Sequence, residues 1–581
     1  MRIRRVVIEN FRGIKHLEWN PTGDFIVLVG PGDSCKTTIL EALELVLTTR
    51  WNPPISDHDF FESDVSTPFR IQVTVGALPP SMLSDNLFGL DLQGMSAGGE
   101  IHDEPLAGDE LVLVVQVEAD ETLEPKWNVI NNRLPDGRQI SAKSRAMLGM
   151  VRLGRDVDRH FTWARGSALA ELTAETDQLN QVLAAARREM RSVVDTAKWD
   201  SLDQAIEQAS AAATRMGAGS VAADLRAAMR IEGGPFRAPG IVLHSGSVPL
   251  ERAGLATRRL VALGLQQSRV QSGSLNLIDE VEAGLEPYRV RHLVKLLSDF
   301  TTSLPQGRST GPSDAHILIT THSPVVLEAV DATSVFVVRR DASGKTTVRQ
   351  AEADLQPLLR GTPEAFLARK VIVCEGKTEI GLCDAMAKFW EHTHESQPLA
   401  HTGTALCLGQ GTQSGSRALQ FANLGYPTLV FADSDKPLDK ETEELETAGI
   451  TVVRWSGEMS TETRVFIDMP RTSLQMFLDL AEAEYGPDSI AAQLNNAFET
   501  SVKPGFTLAQ LFESSTNDET CRRCLADAAM SGGWFKRVDL GQALGAVVAD
   551  EMLASEASAV AINTDLKLKL EMIGNWAYRA E

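Results

Sequence analysis

The chain is 581 residues long, too long for one hydrophobic core, and this length predicts three to four domains. Its 43% hydrophobic content and mixed charge describe an ordinary soluble protein, and with no run of eighteen or more apolar residues no membrane span is expected. A net charge of −22 excludes binding a polyanion by overall charge, so any nucleic-acid contact must rest on a local basic surface or on metals.

Ile3 to Glu9 alternates toward a strand, and Asn10-Phe11-Arg12-Gly13-Ile14 closes it. Glu9-Asn10 interrupts any signal-peptide core. Phe25 to Val29 reads as a buried strand, and Ile39 to Leu47 has the apolar spacing of a helix packed on a sheet. Between them lies Gly30-Pro31-Gly32-Asp33-Ser34-Cys35-Lys36-Thr37-Thr38. Strand, glycine-containing turn, Lys-Thr and helix form a phosphate-binding loop, whose backbone N–H groups and helix N-terminus offer positive potential to phosphate oxygens. Lys36 would reach the β- and γ-phosphates of ATP, and Thr37 would hold Mg²⁺. Cys35 stands where the motif expects a second glycine, and its Cβ costs about 1 kcal/mol if φ there is positive.

Ser56 to Phe61 leads to a strand from Phe69 to Val75, and residues 80–145 are loop-rich with a further strand from Glu110 to Val117. From about Leu169 to Met229, Leu179, Val182, Leu183, Met190, Val193 and Val194 recur at helical spacing. Two or three long helices, broken near Gly217-Ala218-Gly219, are expected, either as a plain helical lobe or as a dimer-forming insert. Pro249 to Arg259 opens another helix. Leu275 to Glu280 is an apolar strand ending in two acids: Asp279 would hold Mg²⁺ through water beside the phosphate loop, and Glu280 would polarise the attacking water. Val281 to Pro287 is a loop, and a third strand, His316 to Thr320, delivers Thr321-His322-Ser323-Pro324.

Further on, the buried-strand run Lys370 to Cys374 ends in Glu375-Gly376-Lys377-Thr378-Glu379 ahead of a helix from Ile380 to Trp390. A second such run, Pro427 to Ala432, ends in Asp433-Ser434-Asp435. Parallel strands joined by helices put both ends on one sheet edge. Each pair of like charges at 4 Å costs roughly 4 kcal/mol at an effective dielectric of 20, and a divalent cation relieves it. An all-oxygen set of Glu375, Glu379, Asp433 and Asp435 suits two Mg²⁺ or Mn²⁺ ions. A strand from Val452 to Trp455 precedes Ser460 to Phe466, where Glu462 would be a further acid of the metal shell. A helical tract runs from about 471 to 530, then Gly532-Gly533-Trp534-Phe535-Lys536-Arg537. Six scattered cysteines suit reduced thiols in a cytoplasm, and Cys521-Arg-Arg-Cys524 lacks the second pair that zinc needs. Only four tyrosines occur, at 288, 426, 485 and 578, none in an evident strand-breaking context.

Ile8-Glu9-Asn10-Phe11-Arg12-Gly13-Ile14 ahead of the phosphate loop resembles the opening of the RecF/SMC branch of ABC-type ATPases. That resemblance implies Arg12 near the nucleotide phosphates, the helix opened at Pro249 as the signature helix (though not LSGGQ) facing a second subunit's γ-phosphate, and His322 as the switch histidine. Glu-Gly-x-Thr-Glu with a later Asp-x-Asp resembles a TOPRIM domain. The whole order resembles the overcoming-lysogenization-defect (OLD) family of nucleases, some beside a UvrD-like helicase as in Gabija-type systems. The fold implied is α/β and multidomain: an ABC/SMC-like ATPase head at 1–160 and 236–365, a helical, dimerising insert at 161–235, and a TOPRIM domain with helical elaboration at 366–581. The activity implied is ATP-regulated, metal-dependent nicking or cleavage of DNA by a homodimer joined through the ATPase half, in anti-phage defence or DNA processing, with Lys536 assisting at the phosphate. The rival reading is a RecF- or SMC-like DNA-binding ATPase with a structural TOPRIM module.

Overall fold

The computed structural model describes residues 1–85, 87–154, 158, 189, 243–245, 248–267, 275–301, 315–498, 508–514, 517–558 and 564–579. Apart from residue 189, the helical insert expected at 161–235 lies outside the described residues.

Two sheets build the N-terminal half. In the antiparallel one, strand Arg2–Phe11 lies between Ile14–Trp19 and Phe69–Gly76, and Glu110–Ala119 follows on the far side of the latter. The second runs Met150–Leu153, Leu275–Ile278, His316–Thr320, Phe25–Val29, Val335–Arg340, Thr346–Gln350, and is parallel except for the last strand. Strand Phe25–Val29 is apolar throughout because both its faces are buried. Ile26 and Leu28 join helix Lys36–Leu47 in the core between the two sheets, while Phe25, Val27 and Val29 enter a core on the opposite face. The parallel strands leave Gly30, Asp279 and Thr321 at one edge, which is where α/β sheets bind ligands.

The C-terminal half carries a four-stranded parallel sheet in the order Thr404–Leu408, Lys370–Cys374, Thr428–Ala432, Thr451–Arg454. Its two faces also divide by alternation. Ile372, Cys374, Leu429 and Phe431 pack with the helices that follow, whereas Val371, Val373, Val430 and Ala432 share a core with Leu358, Leu359, Phe366 and the N-terminal half. Polar contacts lock this seam: the Tyr426 hydroxyl donates to the Phe366 carbonyl at 2.6 Å, Arg349 donates to the Asn423 carbonyl at 2.6 Å, and the Arg339 guanidinium lies 5.0 Å from the Tyr426 ring centre. Helix Lys377–Thr393 lies unusually close to helix Val538–Ser558, since a Cβ on Gly381 would come within 2.5 Å of the Gln542 nitrogen and one on Gly545 within 2.8 Å of the Ala385 Cβ. Among the described residues no helix is long and apolar enough to cross a membrane.

The expected strands are found within one or two residues, while helix bounds differ more: those expected from Ile39 to Leu47 and from Ile380 to Trp390 run Lys36–Leu47 and Lys377–Thr393. The helix expected from Pro249 starts at Leu255, because Leu250–Arg252 forms a separate 3-10 turn and Pro249 pairs with the 244–245 strand. The 471–530 tract divides into helices Arg471–Tyr485, Pro487–Phe498, Leu508–Ser514 and Asp518–Gly532. Cys521 and Cys524 share the last of these, as a helix-face pair would.

Buried His316 sits 3.8 Å from the Asp24 carboxylate, and burial holds its pKa below the usual histidine range. The folded chain therefore keeps the ring neutral, while the unfolded chain protonates below about 6.5. The unfolded state then binds more protons, so this residue makes stability fall as pH drops from 7 toward 5. The difference between the pH–melting profiles of wild type and His316→Leu is expected to show that slope, at most about 1.4 kcal/mol per pH unit; parallel profiles would refute it.

Candidate active sites

At the first sheet edge the phosphate loop closes on itself. Lys36, almost fully buried, donates to the Gly30 carbonyl at 3.0 Å, the Pro31 carbonyl at 2.7 Å and the Ser34 hydroxyl at 3.1 Å. Burial holds its amine down to about 8. Gly30 has φ 140°, and a Cβ there would meet the Val338 carbonyl at 2.4 Å, so only glycine fits. Gly32 and Thr38 complete the loop, and Asp33 adopts a left-handed φ of 61°. Cys35 is also left-handed, at φ 70° and ψ 19°, so the expected strain is present. Cys35→Gly is expected to raise the melting midpoint by about 1–2 °C, in line with roughly 1 kcal/mol of relieved strain; an unchanged or lower midpoint would refute this.

Thr37 and Asp279 meet: the Thr37 hydroxyl donates to Asp279 Oδ1 at 3.0 Å, and the Thr320 hydroxyl donates to the same oxygen at 2.7 Å. The pair thus sets a hydroxyl and a carboxylate side by side beside the loop, a donor set that suits Mg²⁺. Glu280 follows in a left-handed turn at φ 47°, its N–H donating to the Thr320 hydroxyl at 2.8 Å. The His322 backbone N–H donates to Glu282 at 2.7 Å. Arg12, expected near phosphate, pairs with Glu41 on the loop's helix and with Asp59 at 2.9 Å. The adjacent Gly13 does reach the loop, since a Cβ there would lie 2.9 Å from the Cys35 sulfur.

At the second edge, adjacent parallel strands bring Glu375 and Asp433 together. The Glu375 N–H donates to the Phe431 carbonyl at 2.9 Å, and the Asp433 N–H donates back to Glu375 Oε2 at 2.9 Å. Asp433 Oδ1 also accepts the Thr461 N–H at 2.7 Å and the Thr461 hydroxyl at 2.6 Å. Glu379 and Glu462 are 4% and 3% exposed, whereas Asp435 is exposed at the rim. Burial, then the Asp433 and Glu462 charges, push the Glu379 carboxyl up to about 8; burial pushes Asp433 up to about 7, and Glu375 is raised by the same cause. None of the five acids has a lysine or arginine ion-pair partner among the described residues.

One expectation is corrected. Among the described residues no three acidic, histidine or cysteine side chains converge closely enough to hold an ion as they stand, so the expected ring of carboxylates is a set of neighbours rather than a formed ligand sphere. The physical reason is that like charges keep apart while Glu375 and Asp433 oxygens take Asp433 and Thr461 donors. The donor chemistry still fits hard divalent cations, being all carboxylate oxygen with no paired protein cation.

Three segments match models of known families. Residues 1–122 match an AAA ATPase domain, residues 241–328 an AAA domain described as a putative AbiEii toxin of a type IV TA system, and residues 366–435 the overcoming lysogenization defect protein-like TOPRIM domain. A curated relative, the OLD nuclease of Thermus scotoductus (strain ATCC 700910 / SA-01), is 23% identical over 364 residues, covering 60% of this chain and 63% of the relative. The chain joins AAA-type ATPase segments to an OLD-like TOPRIM segment. It spans less than two thirds of that relative's length. Among solved structures, an SMC head bound to the C-winged helix domain of ScpA is 13% identical with a TM-score of 0.34, covering 61% of this chain and 98% of that one. The SMC head domain from Thermotoga maritima is 12% identical with a TM-score of 0.28, covering 61% and 100%.

The loop that carries exposed Lys536 packs against the start of helix Lys377–Thr393, where the Thr378 hydroxyl, one residue before Glu379, donates to the Phe535 carbonyl at 3.0 Å. The close helix pair at Gly381 and Gly541 brings that loop to the site. Three residues that the sequence reading did not single out contact the candidate site residues. Thr461 orients Asp433; Arg454 donates to the Asp433 carbonyl at 2.7 Å; and Arg152 faces Asp279 Oδ2 at 3.6 Å and Glu44 at 3.3 Å. Sequence reasoning also missed the Gly409-Gln410-Gly411 loop, whose Gly411 N–H donates to the Glu375 carbonyl at 2.8 Å. The glycine spacing of that loop was its one visible signal.

Proposed function

We propose that this chain is an ATP-regulated, divalent-metal-dependent DNA endonuclease or nickase, with its ATPase at 1–160 and 236–365 and its nuclease at 366–581. One observation carries the reading: Glu375 and Asp433, at adjacent strand ends 2.9 Å from carboxylate to amide, stand with the buried Glu379 and Glu462, and none of these acids has a lysine or arginine ion-pair partner among the described residues. Bound there by Glu375, Glu379, Asp433, Asp435 and Glu462, Mg²⁺ or Mn²⁺ would activate water and stabilise the leaving 3′ oxygen. Thr461 holds Asp433 in one orientation, and Lys536 offers a cation to the scissile phosphate. Hydrolysis is favoured over tyrosine-mediated strand transfer, because the hydroxyls of Tyr426, Tyr485 and Tyr578 are committed to backbone carbonyls and Tyr288 lies on the ATPase half.

At the other site Lys36 and the loop amides would hold ATP phosphates, Thr37 and Asp279 would hold Mg²⁺, Glu280 would orient water and His322 would sense the γ-phosphate. Helix Leu255–Gln267 would meet the nucleotide of a second copy, making a homodimer through the ATPase half. Anti-phage defence, a UvrD-like helicase partner and a cytoplasmic setting belong to the same reading. The rival, a DNA-binding ATPase with a structural TOPRIM unit, draws support from the carboxylates that do not converge. Incubating supercoiled plasmid with the protein, with and without Mn²⁺ and ATP, separates them. Nicked circles only with metal support the nuclease; plasmid left supercoiled under every condition favours the rival.

A further inference from the structure

A cleft of about 510 Å³ opens on the ATPase half between helices Pro287–Asp299, Pro324–Ala329 and Gln356–Gly361. Three cations line it, Arg291, Lys295 and Arg360, against two acids, Asp299 and Glu328. In a chain of net charge −22 this is a local reversal of sign. Arg291 and Lys295 sit at i and i+4 on one helix, where like charges repel. Neither lies in that helix's last turn, so attraction to its carbonyl end does not account for them. Arg291 pairs with Glu328 at 3.0 Å, while Lys295 and Arg360 have no ion pair among the described residues. Arg360 follows Leu358 and Leu359, which pack into the core shared with the TOPRIM sheet, so the cleft lies at the seam between the two halves.

We infer that this cleft is a second DNA contact, separate from the TOPRIM acids, which grips the phosphodiester backbone of the substrate. No aromatic side chain lines it, so it has no platform for stacking a base, and the grip is independent of sequence. The inference rests on the DNA-cleaving reading and deepens it by assigning the residues that hold the strand.

The test is fluorescence anisotropy of two labelled duplexes of unrelated sequence, in chelator without ATP, over a range of salt. The variant is Arg291→Gln with Lys295→Gln and Arg360→Gln in the full chain. Both duplexes are expected to bind at least about tenfold more weakly at low salt, and the log–log salt slope to become shallower by about two to three. ATP turnover is expected to stay at the wild-type rate, which reports an intact fold. A control that neutralises Lys126, Lys388 and Arg523, exposed cations elsewhere, should leave both quantities unchanged. Wild-type affinity and slope in the cleft variant, or an equal loss in the control, overturn the inference. Asp433→Asn keeps the two readings apart. If it still nicks at the wild-type rate, the carboxylate centre falls and the cleft stands; if it stops nicking while the cleft variant binds normally, the cleft falls alone.

Discussion

Asp433→Asn is expected to reduce metal-dependent nicking of supercoiled DNA on the order of a thousandfold while ATP turnover continues at the wild-type rate. The substitution keeps an oxygen where Thr461 donates at 2.7 and 2.6 Å, so the 433–461 junction is retained. It removes one negative charge from a group of buried carboxylates that repel one another, so the metal-free variant should melt no lower than wild type. A site kept for chemistry is expected to gain nothing in stability from its charges, and that separates catalysis from architecture. Nicking at the wild-type rate would remove the carboxylate centre from the mechanism. A sharp fall in melting temperature would mean instead that the acid supports the fold.

Lys36→Ala is expected to lower ATP turnover at least about a hundredfold, with ATP no longer raising the melting temperature. The side chain is enclosed by the loop it serves, bonded to Gly30, Pro31 and Ser34, so phosphate must draw it away from two carbonyls and a hydroxyl. Losing those three bonds costs the fold about 1–3 kcal/mol, too little to unfold the sheet that carries the loop. ATP-dependent stabilisation that survives in the variant would rule out this loop as the nucleotide site. Comparing nicking by this variant with and without ATP measures the regulatory part of the proposal separately from the chemistry.

Much of this was legible because it is local. The run Phe25 to Val29, the turn and Lys36-Thr37 lie within thirteen residues, and the strand and helix fall where the apolar pattern put them. The left-handed backbone at Cys35 followed from its place in the motif. Asp279 opposite Thr37 was also readable, since a strand end in a parallel sheet can face only one edge. What escaped depends on residues far apart in sequence. Arg12 is held by Glu41 and Asp59, acids twenty-nine and forty-seven positions away. Thr461 is twenty-eight positions from Asp433 and Arg152 more than a hundred from Asp279, and neither carries a mark that distinguishes it from an ordinary polar residue. The carboxylates were placed on the right edge, but how closely they approach depends on side-chain torsions and competing donors that strand alternation does not encode.

The seam around Leu358, Phe366, Phe421 and Tyr426 has a consequence for how the molecule can be taken apart. Its interior is one continuous oil drop lying astride the junction, so a cut at residue 365 would leave both pieces with a raw greasy flank. Either fragment expressed by itself should clump, and the TOPRIM sheet rides on the ATPase half as luggage bolted to a frame rather than hung from a string.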